Sequence, residues 1–170
     1  MSGAGATLSG PLQTIVFGIA DELFALPVGV VREILDHRPG FRIPAAPDWL
    51  IGLCDVRGES VPMVDFRRCL GLDPVGPTPA TRVIVVEAET GATRPLAIGL
   101  IVDRVADVCG WSRAAVEPVP DTGTAWRSCH VVGVLRRDAG LVGLLDLAGI
   151  LAGMEQALDA RVPRRADLAA

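Results

Sequence analysis

The sequence predicts an all-β chain built as two similar β-barrels packed on one another. Two observations carry this. Short apolar, β-branched runs recur along the 170 residues with turn residues between them, the spacing of small barrels or a sandwich. The two halves also repeat one pattern of glycine, strand, turn, strand and aspartate.

Residues 14–20 (TIVFGIA) read as a strand, and 23–27 (LFALP) follow a polar Asp21-Glu22 turn. Residues 28–35 (VGVVREIL) fit either a strand after a bend or a helical turn. Pro44 and Pro47 bracket a loop, and Pro47-Asp48 opens a short helix over Trp49 and Leu50. Residues 51–57 and 60–64 form a hairpin turning at Gly58-Glu59. Asp65 then caps a helix over 66–70 that stops at Gly71. Residues 73–80 (DPVGPTPA) are a connector. Strands follow over 81–88, 94–102 and 105–111, then a loop over 118–124 rich in Pro, Gly and Thr. Two more strands, 131–136 and 141–145, precede a helix from about Leu147. The ends, 1–11 and 154–170, are expected to be flexible tails.

The repeat is specific in its spacing. Gly52 and Asp65 are thirteen positions apart (65 − 52 = 13), as are Gly133 and Asp146 (146 − 133 = 13). The stretch IGLCDVRGESVPMVD thus matches VGVLRRDAGLVGLLD, and a short apolar helical segment follows each aspartate. Upstream, Val31-Arg32-Glu33-Ile34 matches Val105-Ala106-Asp107-Val108 at an offset of 74 (107 − 33), against 81 (146 − 65) downstream, so one loop differs in length by seven. The units, about 14–72 and 81–153, are near the size at which one core is marginal, so they need to pack together.

Composition narrows the function. Half the residues are hydrophobic and 21% are charged, with a net charge of −4, which argues against disorder and against a basic nucleic-acid surface. All basic side chains are arginines, so no P-loop lysine, Schiff-base lysine or Ser–Lys pair exists. No apolar run approaches the ~20 residues of a membrane helix. The first ten residues lack a signal peptide's basic and apolar stretches, so a cytoplasmic protein is expected. Cys54, Cys69, Cys109 and Cys129 form no C-x-x-C pair, and they read as small core residues rather than metal ligands. Asp65 and Asp146, the first carboxylates to try as catalysts, sit at strand-to-helix junctions where capping accounts for them. His37 and His130 have no evident partner. No reaction centre emerges, and no cofactor is expected. What stands out is Arg57-Gly58 at a hairpin tip, with Glu33 in a strand. That arginine reads equally as a solvated turn charge or as an interface anchor.

These residues resemble the CheW family of chemotaxis adaptors. The stretch from Gly52 through Asp55, Arg57-Gly58 and Pro62 to Asp65-Phe66-Arg67 is similar to that family's GxxNxRGxxxPxxDLR core. Ala25-Leu26-Pro27 with Val31-Arg32-Glu33-Ile34 resembles its A(I/L)P…VxEI element. Residues 99–108, GLIVDRVADV, resemble GLxVDxVxxV. Asp55 stands where the family commonly has Asn, and Ile51 where it is often polar or basic. The resemblance implies a CheW-like domain over about 12–153, formed by two SH3-like five-stranded barrels, intertwined and packed. It implies no enzymatic activity. The partners it implies are the cytoplasmic tip of methyl-accepting chemoreceptors and the regulatory domain of a CheA-type histidine kinase, with recruitment to membrane-associated arrays. By the same resemblance, Val31, Glu33, Arg57 and Val108 are receptor-contact positions, expected to form one exposed patch in which Val31 and Glu33, two apart on a strand, share a face; the alternative is that Glu33 and Arg57 simply pair with each other. Gly52, Gly58 and Gly99 match structural positions, as do Gly133, Asp65 and Asp146 through the repeat. A CheW-like adaptor of another pathway, such as pilus motility or surface sensing, is the alternative. A ligand- or nucleic-acid-binding barrel fits poorly with 4% aromatic residues and no lysine.

Overall fold

The structure, a computed structural model, describes residues 10–89, 95–120, 130–138 and 140–159. In chain order the elements are β1 (Leu12–Ile19), β2 (Glu22–Pro27), β3 (Val31–Asp36), β4 (Leu50–Val56), β5 (Glu59–Asp65), α1 (Phe66–Cys69), β6 (Arg82–Ala88), β7 (Leu96–Val102), β8 (Arg104–Trp111), β9 (Val131–Arg137), β10 (Gly140–Leu145) and α2 (Leu147–Asp159). Between β2 and β3 both sequence alternatives occur in turn: Val28–Val30 make one 3-10 turn, and the strand begins at Val31. The helix expected over Trp49 and Leu50 is absent. Leu50 pairs with Val64 as the first residue of β4, leaving room only for a single turn closed by its N–H on the Pro47 carbonyl at 3.0 Å. The β4–β5 turn is Arg57-Gly58, one residue before the expected place. Residues 121–124 of the expected loop, and 1–9 and 160–170 of the expected tails, lie outside the described residues, but 154–159 are not a tail: they continue α2, with Met154 packed in the shared core.

The strands form two five-stranded sheets, ordered β8-β1-β2-β10-β9 and β3-β6-β7-β5-β4. All neighbours are antiparallel except β2 with β10 and β5 with β7. The parallel pair thus occupies the same place in each sheet. Neither sheet is a contiguous half of the sequence. The first takes β1 and β2 from the start of the chain and β8–β10 from its end; the second takes the five strands between. The boundaries 14–72 and 81–153 therefore mark repeat units that exchange their last three strands.

The interior follows from this exchange. A shared core lies between the sheets, joining Ile15 and Leu26 of one to Ile84 and Leu100 of the other, with Ile150 and Leu151 of α2 against it. At its centre three of the chain's four phenylalanines meet. Phe66 lies edge-on to Phe17 and Phe24, with ring centroids 5.7 and 5.6 Å away, a favoured arrangement of ring quadrupoles. Each barrel also has its own core: Cys54, Val61 and Val83 in one, Val16, Leu135 and Val142 in the other. Successive residues of a strand point to opposite faces, so Val85 faces its barrel core and Val86 the shared one.

The repeat is visible in the ladders. An extra residue interrupts β3 against β6 at Arg32, and β8 against β1 at Ala106, which are matched positions (106 − 32 = 74). Bulges recur at Ile51 in β4 and Val132 in β9 (132 − 51 = 81). Phe41 exchanges two backbone bonds with Leu53, at 2.7 and 2.8 Å, and Glu117 exchanges two with Val134, both 2.8 Å.

Candidate partner-binding site

The β4–β5 hairpin ends in a two-residue turn with Arg57 at φ 53° and Gly58 at φ 82°. Turns with both central residues left-handed match the twist of the flanking strands. The Asp55 carboxylate accepts from the Gly58 N–H at 2.8 Å. An Asn carbonyl would serve equally, which explains why the departure from Asn at this position leaves the turn intact. The turn points the Arg57 side chain at β3, where its Nε donates to both carboxylate oxygens of Glu33 at 3.3 Å. The pair is lopsided: the Glu33 side chain is 17% exposed and that of Arg57 77%.

β3 and β4 are the two outer strands of their sheet, so this contact closes a barrel seam. Beside it the bulged Arg32 donates to Glu59 at 2.8 Å and Glu87 at 3.4 Å. These carboxylates hold the Arg32 guanidinium charged more firmly than usual, the Glu59 bond being the main cause. The bulge also corrects one expectation. Val31 and Glu33 are two apart, which on a regular strand places them on one face. With Arg32 inserted, Val31 lies opposite Val86 and Glu33 opposite Val85, so they take opposite faces. Val31 packs partly against the shared core.

Val108 lies on β8, an outer strand of the other sheet, opposite Ile15. Ile15 faces the shared core, so Val108 faces the same side, yet it is 60% exposed. Its repeat partner Ile34 stands opposite Ile84 and is 39% exposed. Val31, Val108 and Ile34 thus lie on the sheet faces that line the shared core, Ile34 and Val108 where those faces reach solvent. The match of Ile34 to Val108 was legible in the repeat, although Ile34 was not among the expected site residues. The acidic partner recurs as well. Asp107, matched to Glu33, pairs with Arg137 of β9 at 3.3 Å. The Val108 N–H, bonded to the Asp107 carboxylate, is the main cause holding that carboxyl below its usual range. Both barrels therefore set an acid on one outer strand against an arginine at the end of the opposite one, in β9, or just past it, in the turn after β4.

The sequence reading missed a second cluster. Arg67 in α1 grips Asp103, Nε to Oδ1 at 2.8 Å and Nη2 to Oδ2 at 2.6 Å, and Asp103 also accepts from the Ala20 N–H at 2.7 Å. Ala20 turns the β1–β2 hairpin at φ 52°, and its carbonyl accepts from Arg104 at 2.8 Å. One sheet's hairpin is thereby tied to the other sheet's helix. The Arg67 bond is the chief cause holding the Asp103 carboxyl below its usual range. The signal was present: Arg67 ends one quoted motif and Asp103 lies in another.

At three of the glycines expected to be structural an added Cβ would meet close neighbours, whereas at Gly58, which holds φ 82°, nothing lies within 4 Å. A Cβ at Gly52 would overlap the Phe41 carbonyl oxygen. At Gly133 one would lie 2.5 Å from Val116 Cγ1, and at Gly99 2.8 Å from Met63 Sδ. Asp65 caps α1, its Oδ1 accepting from the Arg67 N–H at 3.1 Å. The Asp146 carbonyl accepts from Ile150 N–H at 3.2 Å at the start of α2. Among the described residues no group of three His, Cys, Asp or Glu side chains is placed to hold a metal, and no helix is long and apolar enough to cross a membrane.

Comparison with known proteins agrees with this architecture. A chemotaxis protein CheW of Rhizobium meliloti is 28% identical over 148 residues, covering 87% of this chain and 92% of that protein. Protein PilI of Pseudomonas aeruginosa is 34% identical over 92 residues, 54% of this chain and 48% of PilI. The crystal structure of the scaffolding protein TtCheW from Thermoanaerobacter tengcongensis superposes with a TM-score of 0.72 at 27% identity, covering 84% of this chain and 88% of that one. The family model for the CheW-like domain matches residues 13–155, and with the paired five-stranded barrels this shows that the chain belongs to the CheW-like domain family.

Proposed function

We propose that the chain is a non-catalytic coupling scaffold that joins methyl-accepting chemoreceptors to a CheA-type histidine kinase, at the cytoplasmic side of receptor arrays. The observation that carries the reading is the Glu33–Arg57 pair. Among the described residues only Nε of Arg57 is engaged, and the guanidinium otherwise faces solvent although it is ion-paired. Such a side chain is already oriented and has donors to spare for a partner carboxylate, a charge-assisted bond stronger than a neutral one. Exposed Ile34 and Val108 supply apolar surface of the kind on which an amphipathic helix lays its apolar stripe. The receptor-contact set is accordingly Val31, Glu33, Arg57 and Val108, with Ile34 added.

Titration of a receptor cytoplasmic fragment by calorimetry tests this. Arg57→Ala is expected to weaken receptor binding by ~2 kcal/mol or more, with fold and kinase affinity nearly unchanged. Equal dissociation constants would sink the patch. A second reading, an adaptor of a pathway other than chemotaxis, is favoured by the identity with PilI. Co-purification of the full chain with its receptor and kinase separates the two.

A further inference from the structure

Arg32 is a charged side chain to which the proposed function gives no role. It fills a bulge, and the extra residue of a bulge re-aims a side chain that a regular ladder would fix. Its Nη1 reaches Glu59 at 2.8 Å and Glu87 at 3.4 Å. Glu59 is the first residue of β5, immediately after the Arg57-Gly58 turn. Adjacent residues of β3 therefore hold both sides of the hairpin tip: Glu33 takes Arg57 before the turn's glycine, and Arg32 takes Glu59 after it. One attachment lets the tip pivot, whereas two fix its direction.

We infer that Arg32 is a positioning residue for receptor docking, holding the hairpin tip from which Arg57 reaches the partner without itself meeting that partner. The inference rests on the reading of Arg57 given above. Each Arg32 contact is exposed, with side chains 33% and 51% accessible in the Glu59 pair, and such pairs contribute little to folding. Its effect is on preorganisation: a tip held in place before docking spares the complex the cost of ordering it.

The test is a double-mutant cycle in the full chain, read as affinity for a receptor cytoplasmic hairpin fragment. Arg32→Ala is expected to weaken binding roughly fivefold, the scale of one exposed ion pair, with melting temperature and affinity for the kinase regulatory domain unchanged. Arg32→Lys keeps one donor for Glu59 and should fall between wild type and Arg32→Ala. In an Arg57→Ala background the Arg32→Ala loss should vanish, because nothing is left to position. Wild-type binding by Arg32→Ala overturns the inference, as does a loss that adds in full to that of Arg57→Ala. Wild-type binding by Arg57→Ala alone overturns the receptor reading itself, a result distinct from the other two.

Discussion

Asp65 and Asp146 occupy one station of the repeat. The Asp65 N–H donates to the Trp49 carbonyl at 2.8 Å and the Asp146 N–H to the His130 carbonyl at 2.9 Å, each reaching sixteen residues back (65 − 49 = 16; 146 − 130 = 16). Each aspartate closes a hairpin's last backbone pair and starts a helix. Their side-chain settings differ: Asp65 is drawn in beside Arg67, whereas the Asp146 carboxylate lies near His130 over Gly149.

Asp65 separates capping from charge. Burial is the main cause pushing its carboxyl above the usual range, while the Arg67 N–H and the arginines nearby pull it back. An acid whose folded pKa is raised opposes folding once the pH exceeds its unfolded value, because the folded state holds its proton more tightly. Asp65→Ala removes the cap and should cost about 1 kcal/mol by urea unfolding at neutral pH. Asp65→Asn caps as well without the buried charge, and should match or exceed wild type. A loss with Asn as large as with Ala would show that the charge itself is needed.

The Arg67–Asp103 clamp has the opposite sign. Its carboxyl is held below the usual range, so its stabilisation is fully present above the unfolded Asp value of about 3.9. It fades as the pH falls through the lower, folded value. Arg67→Ala is expected to cost about 1–2 kcal/mol at pH 7, an estimate discounted for the 16% and 22% exposure of the two side chains. Asp103→Asn should flatten the acid limb of the stability–pH curve. An unchanged acid limb would mean that the clamp is not what protonation breaks.

Glycines 52 and 133 match in the repeat but differ in what faces them. At Gly52 the obstacle is backbone, the Phe41 carbonyl of the pair that tethers 41 to 53; at Gly133 the nearest atom is a valine methyl. Gly52→Ala is therefore expected to cost about 3 kcal/mol, two strained backbone bonds plus the displaced segment. Gly133→Ala should cost less, since a side chain can turn away. Comparable urea midpoints for the two variants would contradict this.

The sequence made the paired barrels legible because their two units keep the same offsets, 74 and 81, down to the bulges at Arg32 and Ala106. Strand exchange was not legible from spacing: each unit has the same local pattern whichever partner completes its sheet, and only the long-range pairs, such as β1 with β8, decide it. The faces of Val31 and Glu33 were misjudged for a related reason. A bulge is a relation between two strands, set by which residue of β6 each β3 residue meets. The Glu33–Arg57 contact was legible as an alternative, since an arginine at a hairpin tip can reach a strand at the barrel seam. Its recurrence as Asp107–Arg137 was not, because Arg137 stands one place before the position that matches Arg57 (57 + 81 = 138).

That recurrence gives the structural explanation of Arg57 its strongest support, and a substitution at the turn decides between the two roles. Arg57 holds φ 53° without being glycine, a conformation that costs most side chains about 1–2 kcal/mol and that Asn tolerates far better. Asn-Gly is also the favoured pair for this turn. Arg57→Asn therefore relieves strain while deleting the exposed ion pair, worth at most about 1 kcal/mol. If Arg57 serves only to close the seam, the variant should be nearly neutral in stability and should bind receptor as wild type does. If Arg57 is an interface anchor, the variant should match or exceed the wild-type melting temperature while losing roughly thirtyfold in receptor affinity, the equivalent of ~2 kcal/mol. A more stable protein that binds worse is the outcome expected here, since a strained arginine kept where asparagine would fold better is what a docking surface requires.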